Sequence, residues 1–108
     1  MRKIEQNIVG AFVHCQPAVQ SNTMTDGLEL KLHGNTIAQW RGRELWVTLA
    51  GWPSPTTKSR LNALARLMGD LTGALPFTVW QSKGRQFIAT TFNSVERELD
   101  SDEWVRVM

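Results

Sequence analysis

Alternation of apolar and polar residues in the middle of the chain predicts a set of β-strands. Residues 28–32 alternate strictly between leucine and charged side chains, which is the period of a half-buried strand. The alternation stops at residues 33–35 and resumes over residues 36–40, so we expect a tight turn or a glycine-hosted bulge between the two segments. A glycine at the centre of residues 41–43 then predicts a hairpin turn into a strand over residues 44–49.

The next segment has the spacing of a helix. Thr56-Thr57 offers an N-cap hydroxyl and Gly69 a C-terminal stop, which predicts the main helix over about 57–69. Trp52 lies between a glycine and a proline, and we expect it to be buried against the start of this helix. The apolar stripe that defines the helix consists of Leu61, Leu64, Ala65 and Met68.

The remaining segments add strands on both sides of the helix. An apolar run at residues 8–13 predicts a first strand or a buried extended arm, followed by a polar loop over residues 16–25. Residues 77–81 and 86–90 predict a second hairpin. We expect a short helix to begin at Ser94 and the chain to end in a strand or docked tail over residues 104–107.

These elements predict an α+β fold with an antiparallel sheet of about five to six strands packed on one main helix. We expect a single domain over 1–108, with an N-terminal strand and loop at 1–27, a core at 28–92 and an acidic tail at 93–108. The predicted core consists of Val9, Phe12, Leu30, Leu32, Ile37, Val47, Leu49, Leu61, Leu64, Met68, Val79 and Ile88.

Composition narrows the class of protein. The chain has 108 residues, of which 42% are hydrophobic and 20% charged, the balance of a globular domain and not of a disordered one. Cys15 is the only cysteine, so no internal disulfide is possible and a reducing compartment is expected. No apolar run reaches the length of a membrane span, and the N-terminus lacks the pattern of a signal peptide.

Charge is distributed unevenly along the chain. Residues 30–90 contain eight basic and two acidic residues, whereas residues 91–108 contain two basic and five acidic ones. One interpretation is a solvated surface with the acidic tail folded back on the basic body. The other is a face that binds a polyanion.

Catalytic motifs are missing from the sequence. His14 and Cys15 are adjacent, and on the predicted strand they would point to opposite faces, so they cannot act as a base and nucleophile pair. His33 lies beside a glycine, as a solvated loop histidine would. Phosphate-binding glycine loops, nucleophile elbows and calcium loops do not occur. We therefore expect no catalytic residues, no metal site and no cofactor.

Tryptophan and arginine supply the candidate binding residues. An exposed Trp40–Trp46 pair beside Arg41 and Arg43 would suit a protein-binding hot spot or, equally, stacking on unpaired bases. On the helix, a polar ridge four residues apart is expected to be exposed opposite the apolar stripe. Its members are Lys58, Asn62 and Arg66, and Lys83 and Arg85 add basic charge on the second hairpin.

Three stretches together resemble a pattern found in small proteins of tailed bacteriophages. Residues 32–38 contain His-Gly-Asn-Thr-Ile, residues 45–52 end in Gly-Trp, and residues 55–62 contain Thr-Thr-Lys-Ser-Arg-Leu-Asn. A hairpin of the type Val-x-Gln-x-Lys follows at residues 79–83. The resemblance covers residues 28–90. It implies a phage or prophage gene, a location in the host cytoplasm and an accessory role, and it brings no activity, substrate or catalytic residue.

The leading hypothesis is a non-enzymatic phage accessory protein that binds and inhibits a bacterial host or defence protein, as anti-CRISPR proteins do; this step rests on analogy. The alternative is a small nucleic-acid-binding module on a basic face. That face would use Lys58, Arg60 and Arg66 of the helix together with Arg41, Arg43, Lys83 and Arg85. A small enzyme acting through His14 or His33 is the third hypothesis.

Overall fold

Two antiparallel sheets and one long helix make up most of the fold. The computed structural model describes residue 3 and residues 5–108. The larger sheet has the strand order β1-β2-β3-β4-β5-β9 and the smaller one β6-β7-β8. In chain order the elements are a π-helical segment Glu5–Val9, α1 Gly10–Val13, β1 Ala18–Gln20, β2 Thr23–Thr25, β3 Glu29–Leu32, β4 Asn35–Arg41, β5 Glu44–Val47, α2 Pro55–Thr72, β6 Phe77–Ser82, β7 Arg85–Thr90, β8 Val95–Glu98 and β9 Val105–Arg106.

This architecture confirms the predicted α+β class, with a six-stranded antiparallel sheet and one main helix. The second, three-stranded sheet was not predicted. It arises because β8 pairs with β7, so that Val95 lies opposite Thr90. The helix expected to begin at Ser94 is therefore wrong. Ser94 instead has a φ of 54° and lies in the turn that reverses the chain between these two strands.

The β3–β4 hairpin shows how the interrupted alternation is resolved. His33 and Gly34 have φ values of 51° and 79° and form a tight turn. The irregularity lies in the strands instead, where the register shifts between Leu30 and Lys31 and both Ile37 and Ala38 are buried on the opposing strand. A bulge of this kind lets two consecutive side chains contribute to the core.

Leu28, which the alternation places on the same face of the predicted strand as Leu30 and Leu32, is 60% exposed. The Asp26 carboxylate accepts hydrogen bonds from the backbone N–H groups of Leu28 and Glu29, at 2.9 and 2.8 Å. This turn keeps Leu28 outside the strand, which begins at Glu29.

The main helix is longer than predicted at both ends. Its N-cap is Ser54, whose hydroxyl accepts from the Thr57 N–H at 3.1 Å, and a proline occupies the first turn. The helix continues through Gly69 and ends at Thr72, and its C-cap is Gly73, which has a φ of 88°. At Gly69 a Cβ would lie 3.3 Å from the Cα of Leu75. This glycine therefore allows the returning chain to approach the helix closely.

The N-terminal strand predicted at residues 8–13 is wrong. The segment is helical, and its buried residues recur at helical spacing, not at the spacing of a strand. Residues 16–25, predicted as a loop, contain the β1–β2 hairpin, in which Thr23 and Thr25 are buried. All twelve predicted core residues are buried. The buried side chains of the N-terminal segment are Glu5, Ile8, Val9 and Phe12.

Candidate functional site

The outward face of the larger sheet carries a group of aromatic and cationic side chains. Gln39, Trp46 and Arg106 lie side by side across β4, β5 and β9. Of their neighbours along β4 and β5, Ala38, Leu45 and Val47 are buried in the core and Trp40 packs against it, so this row faces away from the core. Side chains alternate between the faces of a sheet, and therefore Arg41, two residues from Gln39, points outward as well. Trp104 directly precedes β9, and its ring contacts Arg41 on the same face.

Arg41 lies against two tryptophan rings on this face. Its guanidinium carbon is 4.3 Å from the centre of the Trp46 ring and 5.1 Å from that of Trp104. At exposed sites a cation–π contact contributes about 0.5–1 kcal/mol. We call Arg41, Trp46 and Trp104 the tryptophan–arginine cluster. It joins side chains from β4, from β5 and from the residue that directly precedes β9.

Hydrogen bonds around the cluster fix its orientation. The Arg41 Nε donates to Gln39 Oε1 at 2.8 Å, and the Trp46 Nε1 donates to Glu44 Oε1 at 3.0 Å. The other carboxylate oxygen of Glu44 lies 3.4 Å from Arg106 Nη1. A surface held in place this way loses little side-chain entropy when a partner binds. The arrangement is therefore suited to recognition.

Trp40 does not belong to this surface, so the predicted Trp40–Trp46 pair is wrong. In the β4–β5 register Trp40 lies opposite Leu45, whereas Trp46 lies opposite Gln39. The two tryptophans therefore occupy opposite faces of the sheet. Trp40 is half-buried, stacks on Phe12 with ring centres 5.7 Å apart, and donates its Nε1 proton to the Phe12 carbonyl at 3.0 Å.

Sequence reasoning missed Trp104. The alternating residues 104–107 were predicted as a strand or docked tail, and this is confirmed by β9. Residues 104–107 alternate as a strand does, but this alternation does not indicate which strand the tail pairs with. The position of Trp104 beside Arg41 could therefore not be predicted.

The exposed polar ridge predicted on the helix is wrong for Lys58, which is only 9% exposed. The smaller sheet packs over this side of the helix. The Lys58 Nζ donates to the Pro53 carbonyl at 3.0 Å and to Gln81 Oε1 and Gln86 Oε1, both at 2.8 Å. Burial lowers the pKa of the Lys58 ammonium below its usual value. The side chain thus joins the helix start to the β6–β7 hairpin.

Asn62 is also used internally. Its Nδ2 donates to the Val79 carbonyl at 2.8 Å, and its Oδ1 accepts from the Val79 N–H at 2.9 Å. The amide therefore pairs with the edge of β6 as a neighbouring strand would. Arg66 is exposed, as predicted. Only one of the three ridge residues is therefore available at the surface.

The other cations of the predicted basic face are divided among separate elements. Arg60 is buried, with its Nη1 3.0 Å from Glu5 Oε1. Arg43 is exposed on the turn between β4 and β5, and Lys83 and Arg85 are exposed on the hairpin of the smaller sheet. These residues therefore do not form one basic face with the helix.

The acidic tail contacts cations that lie near it. Arg97 Nη1 donates to Glu103 Oε1 at 2.7 Å, and this hydrogen bond lowers the pKa of the Glu103 carboxyl. Arg85 Nε lies 3.9 Å from Glu98 Oε1. Two of the five acidic side chains of residues 91–108 therefore lie near a cation, and one of these cations, Arg97, belongs to the tail itself.

Trp52, predicted to be buried, is 65% exposed. Its backbone, and not its ring, supports the helix start, because its carbonyl accepts from the Thr57 hydroxyl at 3.2 Å and its N–H donates to the Leu49 carbonyl at 3.0 Å. The ring forms one wall of an open cleft of about 210 Å³. Other residues lining the cleft are Leu32, His33, Asn35, Ile37 and Thr56.

The structure also bears on metal and membrane sites. His14 and Cys15 lie on an exposed turn that ends α1. Across residue 3 and residues 5–108, no three or more His, Cys, Asp and Glu side chains form a group that could hold a metal ion. Over the same residues, no helix is long and apolar enough to cross a membrane.

Comparison with known protein families finds a match over nearly the whole chain. The model of the Kyanoviridae Gp96 protein family matches residues 1–106. The match includes the N-terminal helical segment and β9, which lie outside the stretches that carry the phage-like pattern. No curated protein and no solved structure shows significant similarity to the chain. Because the family model covers nearly all of its length, the chain belongs to the Kyanoviridae Gp96 protein family, a family of phage proteins.

Proposed function

We propose that this phage protein is a non-enzymatic accessory protein that binds and inhibits a bacterial host or defence protein in the host cytoplasm, as anti-CRISPR proteins do. The observation that carries the proposal is the tryptophan–arginine cluster on the outward face of the larger sheet. Arginine and tryptophan are enriched among the residues that dominate binding energy at protein interfaces. Here they lie together and are held in one orientation.

The alternative, a nucleic-acid-binding module on a basic helix and hairpin face, has less support. Lys58 and Arg60 are buried and bonded to other side chains or to backbone. They cannot reach a phosphate without breaking these contacts. With two of its three helix cations buried, the predicted basic face would release few counterions on binding a nucleic acid and would gain little affinity from their release.

The direct test is capture from extracts of the phage's bacterial host. The bait is the whole protein, compared with Arg41→Glu and Trp46→Ala variants. Lys83→Glu is the matched control, because it makes the same charge change on an exposed turn of the other sheet. Thermal melting of each variant establishes that it is folded.

We expect one host protein to be retained by the wild type and by Lys83→Glu and to be lost from both cluster variants. The purified protein should then reduce the activity of that host protein in a dose-dependent way. The proposal is refuted if folded wild type retains no host protein at low salt, or if the retained protein keeps its full activity.

A further inference from the structure

An apolar groove adjoins the tryptophan–arginine cluster. It has a volume of about 180 Å³ and lies between the loop before β6, the β7–β8 turn and the residues after β9. Leu75 and Phe92, which line it, are 50% and 49% exposed. Pro76, Val107 and Met108 complete most of its lining. An engineered cavity of about 150 Å³ is large enough for benzene, so the groove has room for one large apolar side chain.

Arg106 connects the groove to the cluster. Its guanidinium carbon lies 5.0 Å from the centre of the Phe92 ring on the groove side. On the other side its Nη1 lies 3.4 Å from Glu44 Oε2, and Glu44 also accepts from the Trp46 indole. The groove and the cluster therefore form one continuous surface, with a cation at the point where they meet.

Positive charge predominates on this surface. Arg41, Arg43 and Arg106 are exposed. The carboxylate among them, Glu44, is half-buried, accepts from the Trp46 indole and pairs with Arg106, whose Nε also donates to the Met108 carbonyl at 3.1 Å. A partner with acidic residues would be attracted to this surface and would meet little repulsion. An apolar side chain entering the groove would add the burial of Leu75 and Phe92.

We infer that the partner presents an acidic segment containing one large apolar side chain, which enters the groove while the acidic residues lie against Arg41, Arg43 and Arg106. This inference rests on the proposed function and names the chemistry of the protein it binds. The groove favours a protein over a nucleic acid, since its apolar lining offers little for the polar edge of a base. The Arg41 guanidinium also lies over both cluster rings, where a stacking base would have to compete with it.

The test uses a defined probe. We would titrate the full-length, isotope-labelled protein with a short peptide in which one phenylalanine is flanked on each side by three acidic residues. Matched probes replace the phenylalanine by alanine, replace the acidic residues by lysine, or replace the peptide by oligo-dT. The readouts are NMR shifts of the tryptophan indole N–H groups and of the backbone around Phe92.

We expect saturable shifts at the indoles of Trp46 and Trp104 and around Phe92 with the acidic phenylalanine peptide. The alanine peptide should bind at least about fivefold more weakly, and the lysine peptide should produce no shifts. Arg106→Gln and Phe92→Ser should each weaken binding of the acidic peptide by about fivefold or more. Lys83→Gln, a change at the opposite end of the β6–β7 hairpin from the groove, should leave binding unchanged.

Equal binding of the alanine and phenylalanine peptides, shifts confined to other parts of the surface, or a response to oligo-dT alone would each overturn the inference. The outcome is separable from that of the proposed function. A host protein that is captured through the cluster while the acidic peptide does not bind would refute only the partner chemistry. Peptide binding in the groove without any captured host protein would refute only the proposed function.

Discussion

Replacing Lys58 by methionine should destabilise the protein clearly, although lysine on a helix surface is usually replaceable at little cost. Methionine keeps most of the apolar stem and removes the ammonium. Three neutral oxygens then lose their donor: the Pro53 carbonyl and the side-chain oxygens of Gln81 and Gln86. Gln81 is exposed and can turn to water, whereas Gln86 is buried.

The size of the loss follows from these contacts. A hydrogen bond to a charged group contributes about 1.5–3 kcal/mol, and Lys58 makes three of them. Removing the ammonium from water costs several kcal/mol and offsets part of the stabilisation that these three hydrogen bonds provide. We therefore expect Lys58→Met to lower the free energy of unfolding by about 2–4 kcal/mol, much of it because Gln86 is left without a donor.

Urea denaturation of the wild type, Lys58→Met and Arg66→Met measures this difference. Arg66 is exposed further along the same helix, so its replacement should change stability by less than about 0.5 kcal/mol. If Lys58→Met is as stable as the Arg66→Met control, the three hydrogen bonds of Lys58 contribute nothing net and the reasoning is refuted.

The difference in stability between the wild type and Lys58→Met should also depend on pH. Burial lowers the pKa of Lys58 in the folded state below 10.5, its ordinary value. Between the lowered value and 10.5 the unfolded chain binds more protons than the folded one, so stability rises with pH in that window. We therefore expect the stability advantage of the wild type over Lys58→Met to grow as the pH approaches 10.5. An advantage that shrinks over that range would contradict the assignment.

Three further predictions concern other side chains. Trp52→Ala should leave the melting temperature nearly unchanged because the ring is mostly exposed; a loss of several kcal/mol would show that the ring is buried in solution. Asn62→Ala should cost about 1–3 kcal/mol in denaturation experiments by leaving the Val79 backbone groups unpaired, and an unchanged midpoint would mean that water replaces the amide. The pKa of the Glu103 carboxyl is lower in the folded protein than its ordinary value of 4.5. The ionised carboxylate therefore stabilises the fold above pH 4.5, and this stabilisation is lost as the pH falls through the pKa of the folded state. Acid titration of stability should therefore show a small drop, below about 1 kcal/mol, that is missing in Arg97→Gln.

The elements that could be predicted from sequence are those whose pattern is local. The alternation of residues 28–32 and 36–40 and the stripe from Leu61 to Met68 each contain their own period, and the structure has strands and a helix at these places. The N-terminal run at residues 8–13 misled because a short apolar stretch fits a strand as well as a helix. Its helical form is set by burial against the main helix.

The candidate site was less predictable because it depends on long-range packing. Arg41 and Trp46 were identified, and they do lie in contact. Trp104, the third residue of the tryptophan–arginine cluster, is placed there by the pairing of β9 with β5, which no local sequence pattern encodes. Lys58 was misjudged for the same reason, since its exposure depends on where the β6–β7 hairpin packs.

The pairing of β9 with β5 makes the cluster depend on a contact between residues that are distant in the sequence. Trp46 lies beside Arg106 in this pairing, so the chain between them must be closed into a loop before Trp104 reaches Arg41, and closing long loops is slow. A chain that has formed β1 to β5 but has not docked β9 lacks one ring of the cluster. Proteolytic removal of the tail would have the same effect. Under the proposed function, binding through this surface requires β9 to be docked, so that chains clipped before Trp104 would not compete for the partner.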